Sequence, residues 1–254
     1  MHVETLGSGP RLVLVHGSVA PGWMTWNAQR PLAERFTLTL PIRSGYPPNP
    51  PLERIDFVTQ SNELRGVLRE GDHLVGHSYG GVVSLLAAVD APLASLTVIE
   101  PPAFGVARGH PAVEEFMSRF ADGSPTDPRE YLAFFMPLVG SSLRLPERLG
   151  PELEAGARAA IAERSPHEAV IPFEELAAVP FPKLVVSGGH NGAFDAVCDV
   201  LEERLGAQRA VLPGAGHSVP RLGQPFNALV EAFVRRSDAG EQPLRGGGSS
   251  GSPA

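Results

Sequence analysis

A doubly wound α/β sheet, mostly parallel and carrying a helical insertion, is the fold class the sequence predicts. Three observations lead there. Apolar runs too short for helices recur along the chain, helical patterns alternate with most of them, and one long interval breaks that alternation.

The runs are "RLVLVHG" (11–17), "FTLTLP" (36–41), "DHLVGHS" (72–78), "LTVIE" (96–100), "KLVVSGG" (183–189) and "RAVLPG" (209–214). Each is mostly apolar on both faces and ends in glycine, proline or polar residues, as strands of a sheet covered on both sides should. Helical spacing follows in "VVSLLAAV" after the third run, "FDAVCDVLEERLG" after the fifth and "FNALVEAFVRR" after the last. In the fifth-run segment, Phe194, Val197, Cys198, Leu201 and Leu205 fall on one helical face. Trp23 and Trp26 are expected to pack the first helix. Ligands of such a sheet sit beyond the carboxyl ends of its strands.

About eighty residues separate the run ending at Glu100 from the one near Lys183, too many for a single crossover. Within them "AVEEFMSRF", "REYLAFFMPLV", "ELEAGARAAIAER" and "FEELAAV" read as helices, set off by proline, glycine and Asp-Pro breaks. The expected organisation is a core of residues 1–100 and 179–236 with a helical cap over 101–178. The cap holds six of the twelve phenylalanines, an apolar endowment that implies an apolar pocket. Phe104, Phe134 and Phe135 are its expected substrate contacts, although core packing explains many a single phenylalanine. Residues 237–254, "SDAGEQPLRGGGSSGSPA", lack apolar periodicity and are expected to form a disordered tail without function.

Composition narrows the partner. The chain has 254 residues, a net charge of −7 and no basic cluster, which argues against nucleic acid or an anionic membrane and for a small-molecule substrate. The single cysteine, Cys198, excludes an internal disulfide and favours a reducing compartment. No leader pattern or membrane-spanning stretch is visible, so a cytoplasmic location is expected. No histidine, cysteine or carboxylate set has metal-ligand spacing, and no cofactor is expected. The oligomeric state is left open.

The chemistry centres on Gly76-His77-Ser78-Tyr79-Gly80, a G-x-S-x-G placed where a strand hands over to a helix. A turn that tight needs small residues on either side of the serine, and it lifts the hydroxyl to the top of the sheet. A phosphate loop would carry a lysine here, and none is present. Ser78 is therefore the expected nucleophile.

This elbow, the "VHGS" after an early strand and a late "GAGH" together resemble the α/β-hydrolase superfamily over residues 1 to about 236. The elbow is the specific signal, and the other two support it. The resemblance implies an oxyanion hole from the backbone amides of Ser18 and Tyr79, with His16 bracing its loop. It also implies a base at His217, in the order serine, acid, histidine. His77, beside the nucleophile, is expected to point into the sheet. His2, His73, His110, His167 and His190 are read as solvated or capping groups, with His110 and His190 as candidates to border the pocket.

The acid departs from the family's commonest pattern, an aspartate in a G-x-x-D after the next-to-last strand. Here Gly188-Gly189-His190-Asn191 ends in an amide, which cannot balance an imidazolium. Asn191 suits an N-cap instead. Some members of the superfamily carry the acid after the strand that follows the elbow helix, where this chain has Glu100. The acid is assigned to Glu100, with Asp195 as the alternative. The expected activity is serine-dependent cleavage of a carboxylic ester or lactone of an apolar substrate through an acyl-enzyme. Thioester, carbon–carbon or peracid chemistry on the same triad, or a receptor that retains the pocket, are the alternatives.

Overall fold

The computed structural model describes residues 1–120, 123–141 and 144–240. Among them the strands form one sheet of seven: β1 (His2–Leu6), β2 (Arg11–Val15), β3 (Thr37–Ile42), β4 (His73–His77), β5 (Ser95–Ile99), β6 (Lys183–Ser187) and β7 (Gln208–Val211). Their order is β1-β3-β2-β4-β5-β6-β7, with β1 antiparallel to β3 and all other neighbours parallel. Helices α1 (Trp23–Trp26), α2 (Phe57–Arg65) and α3 (Tyr79–Ala88) connect the first strands. Helices α4 (Pro111–Ser118), α5 (Pro128–Leu138), α6 (Pro151–Ile161) and α7 (Phe173–Ala178) all lie between β5 and β6, and α8 (Gly192–Leu205) and α9 (Gln224–Asp238) follow β6 and β7.

Every residue of β4, β5 and β6 is buried, which is why these central strands read as continuous apolar runs. Alternate side chains serve opposite layers. Val13, Val15, Leu74 and Val98 pack under α3 and α8, whereas Leu12, Leu14, Val75 and Ile99 face Trp26 and the Phe226, Val230 and Phe233 stripe of α9. Each such phenylalanine or leucine contributes about 1.5–3 kcal/mol of apolar burial.

Helix ends follow local chemistry. Asp127 caps α5 through the amides of Arg129 and Glu130, and Pro128 takes the first helical position, where its missing N–H costs nothing. Asn191 accepts from Ala193 N at 2.9 Å and opens α8, two residues ahead of the sequence expectation at Phe194.

Two expectations need correction. β1 was not anticipated, because "HVETL" is an edge strand with four of its five residues exposed and no buried run to reveal it. The tail does not begin at Ser237: α9 continues to Asp238, with Ser237 Oγ donating to Phe233 O at 2.9 Å and Asp238 Oδ1 lying 3.2 Å from His73 Nε2. The rest of that expectation, residues 241–254, lies outside the described residues.

Candidate active site

Ser78 stands between β4 and α3 with φ 54° and ψ −127°, a region that costs a non-glycine residue about 1–3 kcal/mol. Its amide is tied to Ile99 O of the next strand at 2.8 Å. The flanking glycines permit the close approach. A Cβ on Gly80 would meet His16 O at 2.3 Å, and one on Gly76 would meet Ser84 Oγ at 2.4 Å. The turn therefore needs its glycines for space.

Glu100 follows β5, fully buried, with φ 44° and its amide donating to Val186 O at 2.9 Å. It emerges at the same sheet edge as Ser78 because β4 and β5 run parallel and in register, His77 opposite Ile99. His217 comes from the loop after β7. Its Nδ1 is 2.6 Å from Glu100 Oε2 and its Nε2 is 2.8 Å from Ser78 Oγ. With Nδ1 protonated toward the carboxylate, Nε2 is left to accept the serine proton.

The electrostatics keep the acid ionised. Burial alone would raise the Glu100 carboxyl, but His190, His217 and the Gly188 amide, which donates to Oε1 at 2.6 Å, together lower it to about 2. His190 Nδ1 lies 3.3 Å from Glu100 Oε1 and its Nε2 faces Val139 O at 3.1 Å. The carboxylate raises this imidazole above its ordinary 6.5. Stability should follow with opposite signs. The Glu100 contribution is present above its ordinary value of 4.5 and lost as pH falls toward about 2. The His190 contribution is present below 6.5 and lost as pH rises through its folded value. We expect urea denaturation midpoints to fall more steeply below pH 4.5 for the native sequence than for Glu100→Gln, with parallel curves as the contrary result.

The other candidates have their own places. Asp195 accepts from Ser187 Oγ at 2.5 Å and Arg209 Nη2 at 3.1 Å, and no contact joins it to His217. Burial pushes His77 down to about 3, and its Nε2–H donates to His217 O at 2.8 Å, so a neutral ring anchors the backbone of His217. Burial, then Arg43, keep His16 neutral as well. Its Nδ1–H donates to Gly17 O at 2.8 Å and its Nε2 accepts from Arg43 N at 3.0 Å. His73 is buried against Ser95, so it is not a solvated surface group, and His167 is half-buried and lines the cavity.

A Cβ on Gly17 would sit 2.8 Å from Ser78 Cβ, which brings the loop carrying Ser18 onto Ser78. Among the described residues, the amides of Ser18 and Tyr79 donate to no other group. Two unengaged N–H groups beside a serine are what a developing oxyanion requires.

A cavity of about 270 Å³ opens from Ser78 and is lined by Phe104, Phe116, Phe120, Tyr131, Phe135 and Phe194 among others. A smaller one of about 170 Å³ shares Ser18, Ser78, Phe135, Val139 and His217 with it and extends past Met24, Pro220 and Arg221. Phe104 and Phe135 border this space. Phe134 does not: it packs edge-on against Phe120, a lining residue, with ring centroids 5.5 Å apart. Sequence reasoning also missed Arg43 and Glu163, which meet at 2.6 Å beside Ser18. Arg43 had the same signal as Glu100, a charge closing an apolar strand in "TLTLPIR".

A buried serine–histidine–glutamate relay at the carboxyl edge of a doubly wound sheet defines the class as a nucleophile-elbow hydrolase fold. The sequence profile of the Alpha/beta hydrolase family matches residues 12–232, and the chain belongs to that family. It is 31% identical over 177 residues, 66% of either chain, to a pimeloyl-[acyl-carrier protein] methyl ester esterase of Methylococcus capsulatus. It is 29% identical to the protein of that name from Aeromonas hydrophila, covering 91% of this chain and 98% of the relative. Among solved structures, an alpha/beta hydrolase from Sphaerobacter thermophilus superposes with a TM-score of 0.65 at 24% identity, covering 91% of this chain and 95% of its own. A thermophilic esterase from Thermogutta terrifontis superposes with a TM-score of 0.61 at 22% identity, covering 93% of each. Both share the fold. No helix among the described residues is long and apolar enough to cross a membrane.

Proposed function

We propose that the protein is a serine hydrolase that cleaves a carboxylic ester or lactone of a small to medium apolar substrate. The observation that carries this reading is the unbroken relay from Ser78 Oγ through His217 to Glu100, at 2.8 and 2.6 Å, beside two unengaged amides. Ser78 attacks the carbonyl carbon while His217 Nε2 takes its proton. The oxyanion is held by the amides of Ser18 and Tyr79. His217 then protonates the departing alcohol, and the acyl-enzyme is cleaved by water that His217 deprotonates in turn. Glu100 fixes the imidazole's tautomer and balances its charge throughout.

The two cavities divide the substrate. Both lobes reach Ser78 and His217, and the smaller 170 Å³ lobe, which extends past Ser218 and Pro220 on the loop that carries His217, takes the alcohol. A small alkyl group suits it, in line with the methyl ester named for the relatives. The aromatic 270 Å³ lobe takes the acyl chain. Residues 101–178 act as a cap that supplies most of this lobe and excludes water. A small molecule is the partner, and the cytoplasm the location, on the strength of the −7 charge and the lone buried cysteine.

The test is a p-nitrophenyl ester series of increasing acyl length. Phe135→Ala removes a ring that is stacked on Tyr131 at 5.3 Å and should move the preferred acyl length upward. Phe134→Ala, which does not reach the cavity, should leave the ranking as it is. An unchanged ranking with Phe135→Ala, or the same change with Phe134→Ala, would count against this division of the pocket.

A further inference from the structure

Ser18 is followed by Val19, a β-branched residue at φ 71°. That conformation persists only where the surroundings over-determine it. The surroundings here come from the segment between β5 and β6 and from the residues that follow β3. Ser18 Oγ donates to Glu163 Oε2 at 2.5 Å. Tyr46 OH accepts from Val19 N at 3.3 Å and donates to Glu163 Oε1 at 2.7 Å. A Cβ on Gly156 of α6 would fall 1.9 Å from Val19 O, so the helix backbone lies directly on the loop.

Arg43 completes the clamp. Wholly buried, it donates from Nη2 to Glu163 Oε1 at 2.6 Å and to Gly17 O at 2.8 Å, and from Nε to His16 O at 3.0 Å. Its charge and that of Glu163 cancel, so the pair adds no net charge to the cavity for a substrate to meet. Glu163 is in turn fixed to the core by its neighbours: Ile55 N donates to Ala162 O at 2.8 Å and Arg164 N to Ile55 O at 2.7 Å.

We propose that Glu163 is a positioning residue whose carboxylate holds the Ser18–Val19 loop in the strained form that aims the Ser18 amide at the reacting carbonyl. The oxyanion site is then complete only while the end of α6 is seated on the core. This rests on the serine hydrolase reading above. Nothing in the relay of Ser78, His217 and Glu100 touches Glu163, so the two parts of the site can fail separately.

The test compares Glu163→Ala, Tyr46→Phe and their combination on a short p-nitrophenyl ester, with melting temperature recorded for each. Loss of an aligned oxyanion donor acts on the transition state more than on the ground state. We expect kcat to fall about 100-fold in Glu163→Ala and about 10-fold in Tyr46→Phe, with KM within about threefold. The double variant should be no worse than Glu163→Ala alone, because both changes release one clamp. Affinity for an alkylboronic acid, whose tetrahedral adduct on Ser78 presents an oxygen to the same amides, should weaken in parallel. A merely structural role would lower the melting temperature without this split, and a direct substrate contact would raise KM. Removing Glu163 leaves Arg43 buried without its partner. If that variant does not fold, Tyr46→Phe, which deletes one hydroxyl, decides. A kcat within twofold of the native value in the folded variants, or a change confined to KM, overturns the proposal. If the native protein forms no fluorophosphonate adduct at Ser78, the parent reading fails instead.

Discussion

Exchange of Ser78 for alanine is expected to give a folded protein whose ester turnover is lower by about four to six orders of magnitude. The fold should tolerate it. Alanine at φ 54° bears the same backbone strain as serine, and the amide still donates to Ile99 O. What disappears is the only oxygen within hydrogen-bond reach of His217 Nε2 among the described residues. The oxyanion amides and the cavity remain and account for the residual rate. Circular dichroism and single-turnover kinetics on a p-nitrophenyl ester would measure both halves of this expectation. Turnover within tenfold of native in a folded Ser78→Ala protein would dispose of the nucleophile assignment.

Glu100→Gln is expected to cost about 10⁴-fold in turnover, against a small factor for Asp195→Asn. The reason is a count of donors. Glu100 is faced by the Gly188 amide at 2.6 Å, His217 Nδ1 at 2.6 Å and His190 Nδ1 at 3.3 Å. A carboxylate accepts from all three, whereas an amide offers one oxygen and one NH₂. If the oxygen stays on Gly188, the NH₂ confronts His217 and selects the tautomer with its proton on Nε2, where it cannot serve as a base. Asp195→Asn keeps an acceptor for Ser187 and weakens a part-exposed ion pair with Arg209 at 3.1 Å, worth at most about 1 kcal/mol. The reverse pattern, with Asp195 essential and Glu100 dispensable, would move the acid to α8.

Much of this was legible because it is encoded over short stretches. The elbow lies within five consecutive residues, and Gly76 and Gly80 are dictated by close contacts of 2.4 and 2.3 Å that any side chain would violate. "LTVIEPP" advertises Glu100 because a carboxylate after a buried strand must be paired or used. The missing aspartate at Asn191 pointed the same way. Glu163 was not legible, since "AIAERS" reads as the solvated end of an amphipathic helix. Its partners Ser18, Arg43 and Tyr46 are 145, 120 and 117 residues away, contacts that only the folded chain creates. Phe134 and Phe135 posed a related problem. Adjacent residues on a helix point about 100° apart, and hydropathy does not say which of them meets the cavity.

The central claim is that Ser78 forms a covalent bond with the substrate's acyl group, and mass mapping after reaction with a fluorophosphonate tests it most directly. The account predicts one adduct, on the peptide carrying Gly76 to Gly80, with loss of ester turnover in proportion to labelling and no adduct in Ser78→Ala. An unlabelled Ser78 in a protein that still hydrolyses esters, or labelling elsewhere that abolishes turnover, would contradict it.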